Sequence, residues 1–106
     1  MSKKVALNGI EILTNEDDSS ALSLLAMVEA VIEQLESDLD QVDENFHVFI
    51  DMDFVPNHRT KHKLSLINMS NGETRGKVLK ILRKTTNSHI NKITGTVRVD
   101  LQVKDR

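Results

Sequence analysis

From Phe46 to Val55 the chain follows a two-residue period. Phe46, Val48, Ile50, Met52 and Phe54 share one face of an extended segment, and His47, Phe49, Asp51, Asp53 and Val55 share the other. A half-buried strand of this kind needs a cover for its apolar face, so it restricts the chain to folds that lay another element against a sheet. The preceding stretch supplies one. Leu25, Val28, Ile32, Leu35, Leu39 and Val42 fall at alternating steps of three and four, and Leu22, Leu24 and Val31 widen that stripe. This spacing predicts a helix from Ala21 to about Val42. Thr14 to Ser20 is acidic and turn-like, with Asp18, Ser19 or Ser20 available to cap the orphan amides.

The remaining elements follow from similar signals. Val5-Ala6-Leu7 and Ile10-Glu11-Ile12 flank Asn8-Gly9, a pair suited to a tight hairpin turn, so a short N-terminal hairpin is expected, with one bulged strand as the alternative. Leu64 to Met69 is a second apolar run that returns antiparallel to the first. Ser70-Asn71-Gly72-Glu73 has the capping-box pattern and opens a helix to about Ile93, with Val78, Leu79, Leu82, Thr86, Ile90 and Ile93 as its stripe. Thr96 to Lys104 closes the chain as a strand with Val97, Val99, Leu101 and Val103 on one face. Residues 1–106 thus read as a single α+β domain. The element order predicts a ferredoxin-like (split βαβ) sandwich: two helices on one face of a four-stranded antiparallel sheet, with the N-terminal hairpin as an addition.

Charge is divided along the chain more sharply than the net value of −2 suggests. Between Val5 and His58 stand thirteen carboxylates and no Lys or Arg; from Arg59 to Arg106 stand twelve cations against Glu73, Asp100 and Asp105. One consequence is internal cancellation, because helices lying side by side would set the acidic first against the basic second. The other is a pair of single-sign surfaces that steer charged partners.

Cysteine is absent, which removes disulfides, thiolate metal sites and thiol nucleophiles. The N-terminus has no apolar run of signal or transmembrane length, so a cytoplasmic location without membrane association is expected. No phosphate-binding glycine loop, nucleophile elbow or His-Glu-x-x-His motif occurs, and no cofactor is expected.

Three sets of candidate residues remain. Glu29, Glu33, Glu36 and Asp40 lie on the polar side of the first helix and form an acidic, protein-binding face. Arg59, Lys61, Lys63, Arg75, Lys77, Lys80, Arg83 and Lys84 could neutralise a phosphate backbone. Against nucleic acid stands the shortage of stacking residues, with three Phe and neither Tyr nor Trp. Asp51 and Asp53 point the same way from one strand and could flank a divalent cation, with His47 as a third ligand, but the wet face of a half-buried strand, paired across the hairpin with Lys61 or Lys63, explains them better. The leading expectation is a non-enzymatic interaction or regulatory protein that binds another protein, or a second copy of itself, through charge-segregated faces. Nucleic-acid binding is the alternative, and a metal-dependent enzyme centred on Asp51 and Asp53 the remote one.

Overall fold

The computed structural model describes residues 2–14, 18–55, 61–67, 72–87 and 95–106, with the backbone alone for residues 18–20, 61–67 and 87. The order is β1 (Lys3–Leu13), α1 (Asp18–Asp38), β2 (Phe46–Phe54), β3 (Lys61–Ile67), α2 (Gly72–Asn87) and β4 (Gly95–Asp105). The α+β class is as expected, but the ferredoxin-like sandwich is not what forms. The described side chains of the antiparallel sheet belong to three strands in the order β1-β4-β2, and β3 is hydrogen-bonded to the far edge of β2 through its backbone. A ferredoxin-like sheet would centre its first and third strands; here the second and fourth are central.

The reason lies in what each strand buries. Phe46, Val48, Ile50, Met52 and Phe54 of β2 are buried, as are Val97, Val99, Leu101 and Val103 of β4. These strands carry the most continuous apolar faces, and a central position pairs both their backbone edges. β1 has a register shift between Leu7 and Gly9 and an exposed outer half, both suited to an edge.

The same shift replaces the expected N-terminal hairpin. Val5, Leu7, Ile10 and Ile12 slip by one residue in their alternation, and a single extra residue, Asn8, absorbs the slip. All four then lie opposite Val103, Leu101, Val99 and Val97, on the core side of the sheet. A hairpin would have left β4 without this partner.

α1 is shorter at its C-terminus than its apolar pattern predicts. The Leu39 amide still donates to the Leu35 carbonyl at 2.9 Å, and the Val42 amide then donates to the Leu39 carbonyl at 3.0 Å in a closing turn. Its buried stripe is Leu24, Met27, Val28, Val31 and Leu35, with Leu39 and Val42 beyond; Ile32 packs at the margin and Leu22 is exposed. α2 buries Thr74, Val78, Ile81, Leu82 and Thr86, and the Thr86 hydroxyl donates to the Leu82 carbonyl at 2.6 Å, so this buried hydroxyl is satisfied. Ser70, Ile90 and Ile93 lie outside the described residues. No described helix is long and apolar enough to cross a membrane.

Candidate functional site

α1 rests on β1 and against α2, which brings the acidic and basic helices together. Glu33, Gln34, Glu36 and Ser37 of α1 share an open hollow of about 610 Å³ with Lys84 and Thr85 of α2. At its neighbour, a groove of about 330 Å³, Asp38 faces Lys77, Lys80, Ile81 and Lys84. Steps of three and four place Lys77, Lys80 and Lys84 in one row along the helix.

Among the described residues, Lys77, Lys80, Arg83 and Lys84 have no carboxylate within 4.0 Å, and Glu29 and Glu33 have no cation within that distance. All six are exposed, and so is Arg75 on the same helix as the lysines. The Asp38 carboxylate accepts a 2.8 Å hydrogen bond from the Gln34 side chain, one turn earlier on its own helix.

Two members of the predicted acidic face have internal positions. Glu36 Oε1 accepts the Val5 amide at 3.0 Å and its Oε2 lies 3.7 Å from Arg106 Nη2, so this carboxylate closes the free side of β1. Asp40 is half-buried beyond the end of α1 and shares a hollow of about 430 Å³ with Ser2, Lys3 and Arg106.

Of the predicted phosphate-binding set, Arg59 lies outside the described residues. Lys61 and Lys63 sit on β3 at the positions opposite Asp53 and Asp51. They therefore belong to a strand whose backbone is in register with the carboxylates.

The three candidate metal ligands each lean toward β4. Asp51 Oδ1 is 3.7 Å from Arg98 Nε; Asp53 Oδ1 accepts the Thr96 hydroxyl at 3.2 Å; His47 Nδ1 is 3.5 Å from Asp100 Oδ1. The last two atoms are sealed from solvent, but their geometry falls short of a hydrogen bond. The His47 ring stacks on Phe49, with centroids 6.1 Å apart. Among the described residues no three His, Asp or Glu side chains converge as a metal site.

The charged group that sequence reasoning missed is Lys3, which is almost wholly buried. Its ammonium donates to Asp105 Oδ1 at 2.8 Å, the Glu44 carbonyl at 2.7 Å and Asn45 Oδ1 at 3.3 Å, matching three N–H groups with three acceptors. Asn45 Oδ1 also accepts the Asp105 amide at 3.0 Å. The clue was its phase, since Lys3 alternates with Val5 and Leu7 and so points to their face. Compared with known proteins, the chain matches no family model, no curated protein and no solved structure.

Proposed function

We propose that this chain is a non-enzymatic, cytosolic interaction protein that binds another protein through the charge-divided surface of α1 and α2. The observation that carries this reading is the row of exposed α2 cations beside exposed α1 carboxylates, left without ion pairs to one another. Exposed charges of this kind contribute little to folding, with each surface pair worth about 0 to 1 kcal/mol. Grouped by sign on adjacent helices, they raise association rates and fix the orientation of a partner whose charges are complementary.

The test compares the tagged wild-type chain with two double reversals, Glu29→Lys/Glu33→Lys and Lys80→Glu/Lys84→Glu, in pull-downs from its host at low and high salt. The expected result is a partner retained by the wild type, lost from at least one reversal and weakened by salt. Identical recovery by all three chains would sink the reading.

The lysine row of α2 also supports a second reading, a grip on a phosphate backbone. Binding to labelled RNA or DNA that weakens steeply with salt, and vanishes in Lys80→Glu/Lys84→Glu, would favour it. A flat salt titration would remove it.

A further inference from the structure

We propose that the outer half of β1 pairs antiparallel with the same strand of a second copy of this chain. β1 is hydrogen-bonded to β4 on one side and is an edge of the sheet on the other. In an antiparallel ladder, residues alternate between aiming both backbone groups at the partner and aiming both away. The Val5 amide reaches Glu36 and therefore points away from β4. Leu7, Ile10 and Ile12 occupy the same phase, opposite Leu101, Val99 and Val97, so their amides and carbonyls also face outward. An extended strand is the chemistry that satisfies such a row.

This edge is also the most apolar part of the described surface. Leu7 is 40% exposed, Ile10 37% and Leu13 54%, which places three of the six exposed large apolar side chains on one strand. Edges are ordinarily protected by a charge, a proline or a cover. Glu36 and Arg106 provide that protection at Val5, but neither reaches Leu7 to Leu13.

The pattern of β1 identifies the occupant as itself. Val5, Leu7, Ile10 and Ile12 are symmetric about the Asn8–Gly9 bond. Reversing the strand sets Leu7 against the partner's Ile10, and Ile10 against the partner's Leu7, so these outward-facing residues meet one another. The Asn8 bulges then oppose Gly9 on both strands and leave no mismatch in count. On the outer face of the sheet, Lys4 falls opposite the partner's Leu13 and diagonal to the partner's Glu11, within reach of a long side chain. Because Glu36 already holds Val5, the new ladder is short and centred on Leu7 and Ile10. Exposed Leu and Ile side chains supply its burial.

This inference is independent of the helix-surface reading and responds to different variants. The full-length chain would be weighed by light scattering with refractive-index detection, since it contains neither Trp nor Tyr. At high concentration the expected mass is twice the 12.0 kDa of one chain, falling twofold in Ile10→Lys and in Leu7→Lys with unchanged circular dichroism. Reversal of Glu33 or Lys84 should leave the dimer intact. Hydrogen exchange on the wild type gives a check that needs no variant: the Leu7 and Ile10 amides should become protected as concentration rises. A monomer at every concentration, a dimer indifferent to both edge lysines, or exchange at Leu7 and Ile10 independent of concentration would overturn the proposal.

Discussion

The first residues of β1 and its last residues pair with the same strand, β4, but they differ in what occupies their free side. At Lys3 and Val5 that side is closed. A buried ammonium ties β1 to Glu44, Asn45 and Asp105, and the Glu36 carboxylate takes the outward amide of Val5. From Leu7 to Leu13 it presents half-exposed apolar side chains. One strand thus shows both treatments of an edge, and the contrast teaches that charge spent inside the fold decides which part of a sheet can accept a partner.

The largest effect should come from the closed half. Lys3→Ala removes three hydrogen bonds and leaves Asp105 without its counter-ion, so urea denaturation should show a loss of about 3 kcal/mol. Lys3→Met keeps the buried stem and should lose less, because the Asp105 side chain is 34% exposed and water can solvate it. Equal losses would mean that the charge, not the packing, dominates.

Next comes the backbone that anchors the open half. Gly95 has φ of +151°, and a Cβ there would stand 2.6 Å from the Leu13 carbonyl oxygen. Gly95→Ala should therefore cost about 2 kcal/mol and shift the Leu13 resonances in a backbone NMR spectrum. A neutral substitution would show that the end of β1 is looser than its register implies.

Glu36→Ala should cost about 1 kcal/mol and speed hydrogen exchange at Val5, turning the closed half into a copy of the open one. If the Val5 amide exchanges as slowly in the variant, Glu36 is not what closes the edge. The smallest effect belongs to the outer face of the sheet: Asp51→Asn should change stability by less than about 0.5 kcal/mol, since both it and Arg98 are half-exposed. A larger loss in calorimetry would give that face a structural role.

Much of the core was legible because periodicity records which side of an element is dry. Phe46, Val48, Ile50, Met52 and Phe54 alternate in the sequence and are buried together, and Val97, Val99, Leu101 and Val103 do the same. Of the expected α1 stripe, Leu24, Val28, Val31, Leu35, Leu39 and Val42 are buried, whereas Ile32 sits at the margin, Leu22 is exposed, and Met27, outside that stripe, is buried. In α2, Val78, Leu82 and Thr86 are buried as expected, and Ile81 joins them. The surface was less legible. Glu36 and Glu33 are a turn apart and chemically alike, yet one is bound to the backbone of β1 and the other is exposed.

Local pattern alone therefore determined the helical or extended character of the described elements and the inward faces of β2 and β4, while leaving open whether the N-terminus was a hairpin or one bulged strand, because side-chain period acts within a few residues. Strand order was beyond its reach. The same succession of elements suits a sheet centred on its first and third strands or on its second and fourth, and only packing chose β2 and β4, whose apolar faces gain most from the middle. The burial of Lys3 was decided in the same way: its acceptors are up to 102 residues away in sequence, and they converge only when both ends of the chain meet in one sheet.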